Sequence, residues 1–353
     1  MLTTTSVPLA EEEARWGVYG GIDLHSNNQV VALVDEAGEL VYRRRLGNEL
    51  ERVVHELAPY RERLVGVAVE STFNWYWLVD GLMAAGHRVH LTNPGAMQQY
   101  SGLKHGDDDS DAEWLAQMLR LGLLREGYIY PKAERGVRDL LRQRGRLVQQ
   151  RTAQVLSIQN QVQRSTGQRL SGAAIKAASA EEAASWVVDR EVALSLTANL
   201  EVMRCVDQQV TVLERAVLRQ VKERREYAGM QTVPGVGKIL ALTVVLETGD
   251  IRRFAAVGNY ASYCRCVGTQ RISNGKRKGK GNAKNGNRYL AWAFIEAAHF
   301  AVRYSEVIRR FHQRKEARTH PLVALKTVAH KLARASYYIL RDGVSFDLAK
   351  SFG

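Results

Sequence analysis

Gly17-Val18-Tyr19-Gly20-Gly21-Ile22-Asp23-Leu24-His25 reads as a β-strand that closes on polar residues, and Leu64-Val65-Gly66-Val67-Ala68-Val69-Glu70 reads as a second strand with a charged end. The second is a nearly continuous apolar run, the pattern of a central strand buried on both faces. Between them, Gln29 to Val34 and Glu39 to Leu46 predict two more strands around the turn Glu36-Ala37-Gly38, and Glu49 to Tyr60 predicts a helix. Further on, Trp75 to Ala85 predicts a helix and Arg88 to Leu91 a strand. Asp109 to Leu124 predicts a helix with Trp114, Leu115, Met118 and Leu119 as its apolar stripe.

Three consecutive strands, then helix, strand, helix, strand, helix is the ribonuclease H-like order: an antiparallel meander continued by parallel crossovers. This predicts an α/β domain over residues 17–130. Residues 131–226 change character. Leu141, Val148, Val155 and Val162 recur every seven residues, with Ile158 between them. Leu196, Met203, Val210 and Val217 repeat the habit, with Val206 and Leu213 at the second heptad position. Two long helices with heptad seams are expected, joined by the Ala/Ser/Gly-rich stretch from Ser171 to Ser185. A coiled coil between copies is slightly favoured over a bundle within the chain. Arg144 and Arg151 interrupt the first seam. Residues 227–353 predict a mainly helical third domain. Its Val233-Pro234-Gly235-Val236-Gly237-Lys238 is readable either as half of a helix-hairpin-helix phosphate site or as a structural turn.

Charge separates the last third from the rest. The 353 residues hold 50 Lys and Arg against 37 Asp and Glu, a net +13, yet residues 251–353 alone hold 21 basic and 5 acidic residues, a net +16. A basic region so poor in acids attracts a polyanion, nucleic acid first. With 45% apolar and 25% charged residues and a mean hydropathy of -0.28, the composition is globular, and the length suits two or three domains. No run of about 18 apolar residues occurs, which excludes a membrane-spanning helix. Met1 to Trp16 carry Glu11-Glu12-Glu13 and no basic-then-apolar pattern, so residues 1–16 predict a flexible tail and not a secretory signal. Cys205, Cys264 and Cys266 are too few for a disulfide framework or a zinc site; they predict buried small residues in a reducing cytoplasm.

Asp23 and Glu70 close two central strands, where charge is costly without a compensating cation. Asp107-Asp108-Asp109-Ser110-Asp111 opens the next helix, and Asp108 and Asp111, three apart, project from one side of its first turn. Each acid alone is better explained otherwise: Asp108, Asp109 and Asp111 as helix-capping acids, Asp23 as a turn residue and Glu70 as the partner of an arginine. Together, Asp23, Glu70, Asp108 and Asp111 fit a site for two Mg²⁺ ions acting on a phosphodiester. The segment from Arg271 to Arg288 holds seven cations, four glycines, four asparagines and no acid. Arg271, Lys276, Arg277, Lys278, Lys280, Lys284 and Arg288 are its candidate nucleic-acid contacts. Ser273 is its only hydroxyl. Residue chemistry alone favours a phosphate contact for it over a nucleophile.

The Ile22-Asp23-Leu24-His25 strand, the Val69-Glu70-Ser71 strand end, the Asp-x-x-Asp-Ala helix, the long heptad helices, Pro234-Gly235-Val236-Gly237 and Ser273-Asn274-Gly275-Lys276 occur in one order. With Gly281 to Asn287, that string resembles the "insertion sequence one-ten" family of transposases, in its eleven-eleven subgroup, over residues 17 to 345. The resemblance implies a DNA recombinase with a RuvC-like DEDD domain and a basic C-terminal transposase domain. It implies Asp23, Glu70, Asp108 and Asp111 as the Mg²⁺-binding catalytic acids and Ser273 as a nucleophile that becomes linked to DNA. Implied partners are donor and target DNA, a structured bridge RNA, and further copies of the chain as a homodimer that pairs into a tetramer. The implied setting is the prokaryotic cytoplasm, at the nucleoid. The competing readings are a RuvC-type junction resolvase that hydrolyses DNA without needing Ser273, and a non-catalytic nucleic-acid-binding protein with structural acids. An actin-like sugar-kinase fold lacks its second Asp-Gly phosphate loop here.

Overall fold

Val18, Ile22 and Leu24 of β1 (Val18–Leu24) and Val30 to Val34 of β2 (Asn28–Val34) are buried, while β3 (Leu40–Gly47) turns Arg43, Arg44 and Arg45 outward. That gradient follows the sheet order β3-β2-β1-β4-β5, in which β1 and the apolar β4 (Leu64–Glu70) are central and β3 is an edge. The computed structural model describes residues 17–97, 108–268, 270–280 and 285–353. The expected tail over 1–16, Asp107 and Lys284 lie outside the described residues, as do the side chains of Asp108, Asp109, Arg271, Arg277 and Lys280. The fold divides into two compact units, Met1–Lys132 and Ala133–Gly353.

In the first unit β1 pairs antiparallel with β2 and β2 with β3, while β1 with β4 and β4 with β5 (Val89–Thr92) are parallel. The mixed sheet is consistent with the ribonuclease H-like expectation. One face is covered by α1 (Leu50–Leu57) and α2 (Tyr76–Ala84), whose Val53, Leu57, Leu78, Val79 and Leu82 join Val31, Leu33, Val67 and Val69 in one core. Against the other face lies α3 (Asp108–Arg120), with Ala112 against Val30 and Ala32. The expected extension of α3 to Leu124 fails because Gly122 adopts φ +66, the left-handed conformation that terminates helices.

Gly21 sets the depth at which α3 sits. A Cβ at Gly21 would stand 2.0 Å from the Ala112 carbonyl oxygen and 2.6 Å from the Ala116 nitrogen. Side chains two apart on a strand share a face, so Gly21 and Asp23 both point toward α3. Gly21→Ala must therefore push α3 outward, at a cost of about 1–3 kcal/mol by the usual overpacking penalty. The expected result is a lowered melting temperature together with loss of any activity that needs Asp111 beside Asp23. Unchanged melting would show that α3 yields freely.

The second unit begins with α4 (Lys132–Thr166); α5 (Gly172–Ala177) and α6 (Ala180–Ser185), capped by Ser171 and Ser179, lead to α7 (Arg190–Val221). The two long helices run antiparallel: Arg144 pairs with Glu214 at 2.6 Å and Arg151 with Asp207, so seven residues up one helix match seven down the other. Arg224, just past α7, pairs with Glu134 at 2.9 Å. The two arginines that break the first seam thus have acidic partners on the facing helix. Val155, Ile158 and Val162 cluster with Leu196, Leu200 and Met203 within one chain. The buried part of the seam, expected to join copies, packs internally.

Leu141 and Val217 instead join the larger core built on α8 (Arg225–Gln231), α9 (Lys238–Thr248), α10 (Val257–Tyr263), α11 (Arg288–Tyr304), α12 (Glu306–Glu316), α13 (Pro321–Asp342) and α14 (Leu348–Phe352). Within the Pro-Gly-Val-Gly turn, Gly235 has φ +82, and a Cβ there would lie 2.3 Å from the Ala297 carbonyl, so close packing on α11 requires glycine. Cys264 and Cys266 are buried as expected, and burial pushes the Cys266 thiol up to about 12. Cys205 departs from the expectation and is exposed, because its position on α7 faces away from the cluster.

Candidate active site

The parallel register sets Ile22 beside Val69, so the next residues, Asp23 and Glu70, end adjacent strands side by side. Asp23 is only 3% exposed. Asp111, in the first turn of α3, is close enough for its charge to act on Asp23. Three of the four predicted acids are therefore brought together. Asp108 opens α3, with its side chain outside the described residues.

Burial raises the Asp23 carboxyl to about 7; a hydrogen bond shared with Glu70 and the negative charges of Glu70 and Asp111 push the same way, and His25 opposes them. His25 Nε2 stands 3.1 Å from Asp23 Oδ2, a buried atom that makes no hydrogen bond among the described residues. The His25 carbonyl accepts from Asn74 Nδ2 at 2.9 Å and Asn48 Nδ2 at 3.1 Å, which ties the strand end to two neighbouring loops. Sequence reading gave Asn48 and Asn74 no place and quoted His25 in the strand-end motif without assigning it a role. The available signal was the i, i+2 spacing of Asp23 and His25, which puts both on one face of the strand.

An all-carboxylate donor set suits a hard divalent cation, and the unsatisfied Asp23 oxygen fits that chemistry. Among the described residues, no three His, Cys, Asp or Glu side chains stand at mutual coordination spacing. The group is a crowded acid cluster in which burial and the neighbouring negative charges favour a proton on Asp23.

The proton has a measurable consequence for stability. A carboxyl raised in the fold contributes stability that is full below its unfolded value of 3.8 and is lost as pH rises through about 7. Asp23→Asn removes that loss. At about pH 8 the metal-free variant should be more stable than wild type by on the order of 1 kcal/mol or more, since one pKa unit corresponds to about 1.4 kcal/mol. At about pH 4 the gain should vanish. Denaturant melts at both pH values measure this, and an equal difference at each would remove the account of a proton on Asp23.

The second predicted group lies in the other unit. Gln270–Ser273 (β6) and Lys276–Lys280 (β7) pair antiparallel, with Ser273 opposite Lys276. The segment of candidate nucleic-acid contacts is, in this part, a β-hairpin. Its turn residues Asn274 and Gly275 have φ +49 and +70, the mirror-image turn that Asn-Gly favours because it matches strand twist. Ser273, Lys276 and Lys278 are exposed. Arg271, Arg277 and Lys280 lie on the two strands. Arg288 opens α11 and donates to the Tyr289 hydroxyl at 3.0 Å.

Residues 20–166 match a model of DEDD-type IS110 transposases described as "Transposase", and residues 228–313 match one described as "Transposase IS116/IS110/IS902 family". The chain is 25% identical over 293 residues to the transposase for insertion sequence element IS1111A of Coxiella burnetii, spanning 80% of this chain and 78% of that one. It is 21% identical over 340 residues to the transposase for insertion sequence element IS1328 of Yersinia enterocolitica, spanning 92% and 97%. It is also 27% identical over 164 residues to an uncharacterized 43.6 kDa protein of insertion element IS110 from Streptomyces coelicolor, spanning 46% and 38%.

Proposed function

Because this chain belongs to the IS110 family of transposases, we propose that it cuts and exchanges DNA strands in a Mg²⁺-dependent reaction, with Ser273 as the nucleophile and a structured RNA as guide. The observation that carries the reading is the meeting of Asp23, Glu70 and Asp111 at one end of a central parallel strand pair, with Asp23 buried and the other two carboxylates close enough for their charge to act on it. Asp108, three residues before Asp111 at the start of α3, is assigned as the fourth acid from its spacing in the sequence.

The four acids would hold two Mg²⁺ ions, which when bound lower the cost of charge on the attacking and leaving oxygens. To hold a cation Asp23 would have to be the carboxylate, its proton passing to solvent. Ser273 Oγ bonds to the scissile phosphorus, the bond from phosphorus to the departing strand breaks, and the serine proton ends on that strand's oxygen. A hydroxyl of the incoming strand then attacks the phosphoserine and restores Ser273. Exposed Lys276 and Lys278 flank the serine and neutralise backbone phosphates. The partners are donor DNA, target DNA and bridge RNA, with copies of the chain as dimers that pair into tetramers. The setting proposed is the nucleoid of a prokaryotic cytoplasm.

The test is strand exchange between DNA substrates carrying the element ends, using protein purified with its RNA. Joined product should require Mg²⁺ and disappear after ribonuclease treatment. Product in excess chelator would sink the metal role, and product after ribonuclease the guide. A separate expectation concerns the hairpin. Reversing the charge of Lys276, Arg277 and Lys278 should lower the slope of log affinity against log salt by about three, near one for each phosphate no longer neutralised. An unchanged slope would take the hairpin off the DNA backbone.

A further inference from the structure

In the second unit, α4, α9 and α11 enclose a cleft of about 450 Å³. It holds none of Asp23, Glu70, Asp108 and Asp111 and is not part of the hairpin. Its frame is one buried carboxylate. Glu247 of α9, 3% exposed, accepts from Arg142 of α4 at 2.6 and 2.7 Å and from Asn287 Nδ2 at 2.7 Å. Asn287 in turn caps α11, accepting from the Tyr289 and Leu290 nitrogens at 2.8 and 3.1 Å. The three helices are thereby pinned together at the cleft.

The same pin orients an aromatic wall. The Arg142 guanidinium lies 4.6 Å from the centre of the Tyr289 ring, and Arg288 lies 5.0 Å from it. One turn along α11, Trp292 lines the cleft with 46% of its surface exposed, although it sits beside fully buried Ala293 and Phe294. Arg146, one turn beyond Arg142 on α4, lines the opposite side and reaches the neutral Gln143. Among the described residues, Arg146 and Arg288 are not ion-paired with a carboxylate, so both charges remain for a ligand. The floor, with Ile239 and Val148, is apolar.

A flat, apolar-faced ligand joined to an anion satisfies all of these features, and an unpaired nucleotide is that ligand. Bases inside a duplex present only their edges, so a concave cleft with a stacking wall selects strands that are single or splayed. We infer that this cleft binds one unpaired nucleotide of a single-stranded nucleic acid segment, the base stacked on Trp292 and its phosphates held by Arg146 and Arg288. The inference rests on the reading that the chain acts on nucleic acid, and assigns that activity a site for unpaired bases.

The test measures binding of the full-length chain to a 12-nucleotide single-stranded RNA, the same sequence as single-stranded DNA, and the DNA duplex. Trp292→Ala should weaken one or both single strands about tenfold, as loss of one stacked base does, and leave the duplex unchanged. Trp292→Phe should recover most of the loss. Arg288→Ala should reduce the salt slope by about one, whereas Trp292→Ala should not. Loss confined to RNA or to DNA identifies the source of the nucleotide and supports the site equally. Unchanged single-strand binding by a folded Trp292→Ala protein overturns the cleft while leaving the transposase reading intact. Wild-type chain that binds none of the three probes overturns both.

Discussion

Ser273→Ala protein should bind DNA and RNA as wild type does and yield no recombined strand. The hydroxyl is exposed at a hairpin turn, so its removal disturbs no packing. What disappears is the atom that would hold the broken strand. A covalent route without its nucleophile falls toward background, a loss on the order of 10⁴-fold or more by analogy with other deleted nucleophiles. Wild-type protein should form a denaturation-resistant DNA adduct that maps to Ser273 by peptide mass spectrometry, and Ser273→Cys is expected to keep a trace of activity. An adduct on another residue, or cleaved DNA with free ends from Ser273→Ala, would leave the hydrolytic resolvase standing.

Glu70→Gln, Asp111→Asn and Asp23→Asn should each reduce strand exchange by about 10³-fold, the size expected when several kcal/mol of charge stabilisation is removed from the transition state. Folding should survive, because each change relieves crowding among like charges. Asp108→Asn belongs with this group, and Asp107→Asn and Asp109→Asn should be milder. An inverted ranking would shift the third ligand along the run. If all the acid variants recombined normally, the cluster would be structural and the non-catalytic reading would gain.

The sheet was legible because burial on two faces writes itself into sequence. Val30 to Val34 and Val67 to Val69 leave no polar face, and Asp23 and Glu70 stand out at their ends. Asp23 and Glu70 drew attention for the same reason: a charge at the end of an apolar run needs a partner. What stayed hidden depends on distant neighbours. Nothing local says that Gly21 faces the Ala112 carbonyl, or that Arg151 and Arg144 meet acids 56 and 70 residues away. The hairpin was a different failure. Asn274-Gly275 is a strong hairpin signal, but the surrounding cations and glycines were read for charge alone and given no secondary structure.

The Arg142–Glu247 pair has a consequence for how the chain could be inherited or cut. Its two residues are 105 apart, and Leu141 beside Arg142 belongs to the core of the helices that follow. The first family-matched segment, residues 20–166, thus contains a cation that the second, residues 228–313, cannot do without. A fragment begun at residue 228 would keep Glu247 buried with its counter-charge gone, a defect that typically costs about 3–5 kcal/mol. The two segments are separate in pattern and joint in folding, so swapping one between relatives would succeed only where position 142 travels with position 247.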